Sequence, residues 1–259
     1  MSAYPFTTAL ITGASSGIGA RMAHELGAKG IPMVLVARRA DRLEAIARRY
    51  PNVEVLVADL ETADGVAKVT ERITDVTRPP IDLVVNNAGF GTSGLMHRAE
   101  ADRLVREIEL NVVALTRISH AAINHMIPRG RGYLLNVSSV ASFQANPGLA
   151  VYSATKAFVT SLTEALHEEV RGTGVRVSVL CPGLTKTEFQ SISNTSGFES
   201  QFPAFAWTSV KSVARAGLLG VARGKAVIVP GALYKLLAAI SQVTPRRAQR
   251  RLVRVLTRR

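Results

Sequence analysis

The sequence predicts an α/β protein with a doubly wound, seven-stranded and mainly parallel sheet, helices on both of its faces, and a helical C-terminal extension. Three observations predict it. Along most of the 259 residues, apolar runs of strand length alternate with longer segments of helical period, the order that produces a parallel sheet. Runs such as LVV at 83–85 and VSVL at 177–180 are apolar across adjacent positions, as in strands covered by helices on both faces. The hydrophobic content of 47% is enough to fill a substantial core.

A strand over 8–12 runs into the glycine-rich stretch TGASSGIG at 12–19, and a helix is expected over 17–29. Strand 33–37 leads to helix 40–49, strand 53–58 to helix 62–76, and strand 81–86 to one long helix over 100–127. Strand 133–137 precedes a helix at 152–171, strand 175–180 precedes a helix at 209–222, and strand 226–229 completes the sheet. The connector from about 184 to 208 is rich in Ser, Thr and Phe, contains Trp207, and is long for a joint; it reads as a lid or binding loop. Past the last strand, GALYKLLAAISQV at 231–243 carries an apolar helical stripe through Leu233, Leu236, Leu237 and Ile240. No repeat, low-complexity tract or linker divides the chain, so 1–230 is read as one domain and 231–259 as its helical, basic extension.

The single cysteine, Cys181, excludes an intramolecular disulfide framework and fits a reducing, cytoplasmic compartment. The opening MSAYPFTTALITG has neither a basic region nor an apolar run of signal-peptide length, and later apolar stretches are broken by Arg215, Arg223, Lys225 or Lys235; no leader and no membrane span are expected. The net charge of +13 is unevenly spread, because residues 246–259 hold seven arginines and no acid, leaving +6 for the rest. In PRRAQRRLVRVLTRR, Ala248, Leu252, Val255 and Leu256 fall near one helical face with arginines around the others. Such a helix suits peripheral contact with an anionic membrane, an acidic partner or nucleic acid, or packs its apolar side on its own domain with the arginines in solvent. Nucleic acid is disfavoured, since no reading motif or basic-aromatic strip accompanies the charge.

Gly13, Gly17 and Gly19 permit a tight turn and a close approach to a pyrophosphate, whose charge is favoured by free N–H groups at the helix start. Their spacing, G-x-x-x-G-x-G, differs from the commoner G-x-G-x-x-G. At the end of the second strand, where a dinucleotide-binding fold places an acid for the adenosine ribose, stand Ala37 and then Arg38 and Arg39. A guanidinium forms a forked pair with a 2′-phosphate that a carboxylate would repel. The sequence therefore points to NADP(H) over NAD(H), with Arg38, adjacent to the strand, the preferred partner. In VYSATKAFVT, Tyr152 and Lys156 stand four apart and share one helical face.

Taken together, these motifs resemble a short-chain dehydrogenase/reductase of about 250 residues, over residues 6 to 230. The resemblance is carried by TGASSGIG at 12–19, Asp59, NNAG at 86–89, Asn111, NVSSVAS at 136–142, YSATK at 152–156 and PGLTKT at 182–187. It implies a Rossmann-type fold and a homodimer or homotetramer built through the long helices. It also implies that Gly13, Ser15, Ser16, Gly17, Ile18 and Gly19 serve the cofactor phosphates, Asp59 and Leu60 the adenine edge, and Asn87, Ala88 and Gly89 the ribose. Pro182, Gly183, Leu184 and Thr187 would surround the nicotinamide. Tyr152 resembles the family's general acid/base, Lys156 the cation that steadies the tyrosinate and the nicotinamide ribose, Asn111 a member of the proton relay, and Ser139, ahead of Ser138, the serine that orients substrate. Tyrosine's ordinary pKa near 10 makes a nearby cation useful, and Lys156 is expected to supply it. Ketone reduction is the favoured direction by analogy with the family's phosphorylated cofactor.

Competing sites are weak. His24, His97, His120, His125 and His167 show no ligand spacing, so no metal is expected, and Ser16 lies in no G-x-S-x-G elbow. Cys181 reads as a small packing residue. Phe189, Phe198, Phe202, Phe205 and Trp207 together with the 231–243 stripe suggest a lipophilic carbonyl or alcohol substrate, unless these residues only pack the fold. The alternatives are a catalytically silent NADP(H)-binding regulator and a reductase of small polar ketones or sugars; the set Asn111, Ser139, Tyr152 and Lys156 counts against the regulator.

Overall fold

The computed structural model describes residues 4–194, 203–245 and 247–248. Seven strands, β1 (Ala9–Thr12), β2 (Met33–Ala37), β3 (Val53–Val57), β4 (Leu83–Asn86), β5 (Gly132–Val137), β6 (Val175–Leu180) and β7 (Val227–Ile228), pair in the order β3-β2-β1-β4-β5-β6-β7. Every pairing is parallel. Helices α1 (Gly17–Gly27), α2 (Ala40–Ala47) and α8 (Val210–Ala222) cover one face, and α3 (Ala63–Thr74), α5 (Leu115–Met126) and α6 (Ala150–Glu169) the other.

The adjacent apolar residues of each strand are explained by this sandwiching. Side chains alternate across a strand, so Ala9, Ile11, Leu83 and Val85 enter the layer with α1 and α8, while Leu10 and Val84 enter the layer with α3 and α5. One polar line crosses the second layer. Asn86 Nδ2 donates to Asn136 Oδ1 at 2.9 Å and Asn136 Nδ2 donates to Thr163 Oγ1 at 3.0 Å, tying β4 and β5 to α6 inside the protein.

The chain winds outward from β1 to β3, then returns to the far side of β1 to lay down β4. Between β1 and β4 the strand order reverses, and a crevice opens beyond their C-terminal ends. The expected elements form with ends displaced by at most two residues, with one exception. The helix read over 100–127 is α4 (Ala101–Ile108), a π-helical turn (Glu109–Ala114) and α5. The wider turn of a π-helix changes the direction of the side chains that follow, and Asn111 lies within it. The connector after β6 contains a short helix, α7 (Phe189–Ile192), and a single turn at Ala204–Ala206; the expected stripe is α9 (Ala232–Val243). Phe198, Phe202 and the arginine-rich helix expected beyond Ala248 lie outside the described residues. Among the described residues, no helix is long and apolar enough to cross a membrane.

Candidate active site

A cleft of about 990 Å³ occupies the crevice and runs on beneath α7 and α9. All the site residues expected from the sequence line it except Gly19 and Asn111. Gly19 lies behind the turn, where a Cβ would meet the Gly13 carbonyl oxygen and Asn87 Nδ2 at 2.5 Å, so packing by itself requires glycine there.

At one end, the chain leaves β1 through Gly13 (φ +64°) and Gly17 (φ +56°), a conformation open to glycine and strained for other residues. Thr12 Oγ1 accepts hydrogen bonds from the backbone N–H groups of Asn87 and Ala88 at 2.9 and 3.0 Å, fastening the end of β4 to the turn. A Cβ at Gly13 would sit 2.8 Å from Asn87 Nδ2 and 2.9 Å from Ala88 Cα. Gly13→Ala is therefore expected to destabilise the fold by about 2–3 kcal/mol, seen as a lower midpoint in thermal melting; an unchanged midpoint would show that the turn relaxes freely.

The two arginines diverge. Arg38 points outward, its Nη1 donating to Glu61 Oε1 at 2.8 Å and lying 3.8 Å from Asp59 Oδ2. Arg39 turns toward the glycine-rich stretch: Nε and Nη2 donate to Ser15 Oγ at 3.2 and 3.0 Å, and Nη1 to Glu188 Oε2 at 2.9 Å. Arg42 pairs with the other oxygen of Glu188. Arg38 follows the strand directly, but Glu188, the partner of Arg39, approaches from the connector after β6 and is not disclosed by any local spacing.

On the facing wall, α6 presents Tyr152 and Lys156 together, both buried. Lys156 Nζ lies 5.9 Å from the Tyr152 ring centre and donates to the Val137 carbonyl at 3.0 Å. The two serines separate by role. Ser138 Oγ is engaged by the Lys156 carbonyl and Thr160 Oγ1, both at 2.8 Å, whereas Ser139 faces the cleft beside Tyr152 and accepts from the Ala141 N–H at 3.1 Å. Burial pushes the Tyr152 phenol up to about 12, and Ser139 beside it only partly opposes the shift. Burial also pushes Lys156 down to about 8. The expected lowering of the phenol by Lys156 is not seen here, because burial dominates, Glu107 adds to it, and only Ser139 acts the other way.

Asn111 braces the floor of the site. Its Nδ2 donates to the Phe90 carbonyl at 2.8 Å and to Thr155 Oγ1 at 3.1 Å, and its Oδ1 accepts from the Phe90 N–H at 3.2 Å. A Cβ at Gly89 would come within 2.7 Å of that Oδ1 and 3.4 Å of Lys156 Nζ, so the glycine lets strand end, π-turn and α6 close together. Nearby, Glu107 is wholly buried with neither carboxylate oxygen in a hydrogen bond of ordinary geometry. Burial raises its pKa against the pull of Thr92, Arg103 and Lys156. Nothing in the sequence marked Glu107, since a glutamate in a helix ordinarily faces water. Cys181 is buried beside Thr160, and desolvation lifts its thiol to about 11, as suits a packing residue.

The remainder of the cleft is mainly apolar, with Phe143, Phe189, Ile192, Phe205, Trp207 and Leu237 among its walls and Gln144, Asn146 and Gln190 as polar exceptions. The Phe189 ring packs 5.5 Å from that of Tyr152. Its helix is fastened by Gly91 N donating to Ser193 Oγ at 3.0 Å and Arg103 Nη2 donating to the Ile192 carbonyl at 2.6 Å. Tyr234 joins α9 to this wall, its hydroxyl donating to the Ala206 carbonyl at 2.7 Å and accepting from Leu184 N at 3.1 Å. Among the described residues, no group of three or more His, Cys, Asp and Glu could hold a metal ion.

A family model described as short chain dehydrogenase matches residues 7–196. An oxidoreductase of Myxococcus xanthus is 37% identical over 197 residues, 75% of this chain and 78% of the relative. Among solved structures, a short-chain dehydrogenase from Sphingobium yanoikuyae in complex with NADPH superposes with a TM-score of 0.81 at 34% identity, covering 91% of this chain and 93% of that one. A bulky-bulky ketone specific alcohol dehydrogenase from Comamonas testosteroni gives 0.76 at 31% identity, covering 92% and 95%.

Proposed function

Because this chain belongs to the short-chain dehydrogenase family, we propose that it is an NADP(H)-dependent oxidoreductase that reduces the carbonyl of a lipophilic ketone, with Tyr152 as proton donor. The observation that carries the reading is the Tyr152 and Lys156 pair, with Ser139 beside it, on the wall of a cleft whose other end is the glycine-rich turn.

The residues fit a phosphorylated dinucleotide. Gly13 and Gly17 bring bare backbone to the start of α1, whose first N–H groups favour an anion. Ser15, Ser16 and Ile18 complete that cradle, Arg38 and Arg39 flank the place of a 2′-phosphate, Asp59 and Leu60 the adenine edge, and Asn87, Ala88 and Gly89 the ribose. Pro182, Gly183, Leu184 and Thr187 lead to the nicotinamide end, beside Tyr152 and Lys156. Arg39 is the stronger phosphate partner, since Ser15 fixes the direction of its planar fork. Arg39→Ala is expected to raise KM for NADPH about tenfold or more and to leave KM for NADH nearly unchanged in steady-state assays. An equal effect on both cofactors would place the 2′-phosphate elsewhere.

When bound, the dinucleotide supplies hydride to the carbonyl carbon. Tyr152 donates its proton to the carbonyl oxygen, and Ser139 hydrogen-bonds that oxygen as negative charge grows on it. Lys156 places a positive charge beside the tyrosinate left behind, and Asn111 keeps α6 and the Phe90 backbone in register with the site. The apolar wall and the resemblance to a bulky-ketone enzyme favour a lipophilic substrate. Purified protein is expected to consume NADPH with bulky or long-chain ketones, followed by loss of nicotinamide absorbance, and to use NADH poorly. Efficient reduction of sugars or polar keto acids with none of long-chain ketones would overturn the lipophilic assignment. A homo-oligomer through α4 to α6 fits the exposure of Val105, Ile108, Val113 and Phe158 on those elements.

A further inference from the structure

The outer face of α9 is apolar and open. Leu233, Leu236, Leu237, Ile240 and Val243 form one helical stripe, 38, 60, 50, 49 and 82% exposed, while Tyr234 and Ala238 on the opposite face are buried against the domain. Phe205, 80% exposed, belongs to the turn that Tyr234 holds against α9. Leu233, Leu237, Ile240 and Phe205 also line the cleft, so this greasy rim borders the mouth of the substrate pocket.

Charge is distributed with the same bias. From residue 200 to 259 the chain has twelve Lys and Arg and no Asp or Glu, so all but +1 of the net +13 is carried by its last 60 residues. Seven of those arginines begin three residues after α9 ends. We propose that α9 and the arginine-rich segment after it dock on an anionic lipid surface, with the exposed stripe at the acyl boundary and the pocket mouth facing the bilayer. The assignment of lipophilic ketones entering from the membrane rests on the function proposed above; the docking itself does not.

Other occupants fit less well. A nucleic acid satisfies the arginines but offers nothing to a stripe of Leu, Ile and Val. A two-fold contact through this face uses the same patch on both copies, which would bring two acid-free, strongly basic stretches close to one another. A lipid interface satisfies both features at once, because apolar side chains enter the acyl boundary while guanidinium groups meet anionic headgroups.

The test is co-sedimentation of the full chain with phosphatidylcholine vesicles and with phosphatidylglycerol-containing vesicles, comparing wild type, Leu236→Glu/Val243→Glu, and Arg250→Gln/Arg251→Gln/Arg254→Gln. Wild type is expected to bind only the anionic vesicles, and to be released as salt rises from about 0.05 to about 0.5 M. Each variant is expected to lose about 100-fold in vesicle partitioning. Leu236 and Val243 do not line the cleft, so the first variant keeps its melting temperature and its rate on a water-soluble ketone. Wild type left in the supernatant, or equal binding by Leu236→Glu/Val243→Glu, would overturn the proposal. So would light scattering that shows this variant dissociating a wild-type oligomer, which assigns the stripe to a second copy. The entry route is tested separately with a long-chain ketone in anionic vesicles, where the same variant should react at least about tenfold more slowly than wild type. Vesicle binding without any ketone turnover would leave the docking standing and remove the catalytic reading.

Discussion

Tyr152→Phe is expected to reduce ketone turnover about 1,000-fold while NADPH still binds and the melting temperature changes little. The substitution keeps a ring that packs against Phe189 and removes only the hydroxyl. A phenol held near 12 stays protonated throughout the neutral range, so in the reducing direction the donor is not lost as pH rises from 6 to 9. Alcohol oxidation needs the opposite protonation state and is expected to accelerate with pH over the same interval. The measurement is kcat against pH in both directions, with cofactor affinity followed by nicotinamide fluorescence. A variant retaining more than about a tenth of wild-type turnover would give the proton transfer to another group.

Lys156→Met is expected to abolish useful activity and yet stabilise the protein at pH 7. Lys156 is almost fully buried with its pKa depressed from 10.5 to about 8. Below pH 8 it is protonated in both folded and unfolded chains, and holding that charge away from water costs the fold about 3 kcal/mol. Between 8 and 10.5 the unfolded chain binds the proton more tightly than the native one, so native stability rises with pH and the cost fades. Methionine removes the cost but leaves the Val137 carbonyl without its donor, worth about 1 kcal/mol in the other direction. The net gain of about 2 kcal/mol should raise the melting temperature by several degrees at pH 7 and shrink toward pH 10.5. An advantage that grows with pH would contradict the assignment.

The sheet was legible because each strand is buried on both sides, which writes adjacent apolar residues into the sequence. The break between α4 and α5 was not, since no glycine or proline interrupts 100–127 to mark the π-turn that holds Asn111. Motif order brought the cleft residues together, but their individual duties depended on distant partners. Ser138 and Ser139 are neighbours with opposite fates because α6 supplies the Lys156 carbonyl and Thr160 to one of them. Arg38 and Arg39 are distinguished by Ser15 and Glu188. The ionisation of Tyr152 and Lys156 follows from burial, a property of the folded pair that local spacing does not encode.

Glu188 grips Arg39 across 149 residues and Arg42 across 146, while its neighbour Phe189 leans on Tyr152. A single short segment is thus anchored at one end to the arginines proposed to hold the nucleotide and at the other to the proposed proton donor. Engineers who reshape this segment to admit a new ketone will also disturb nucleotide choice, and those who recode the arginines will shift the pocket. The two selectivities have to be redesigned as one trait.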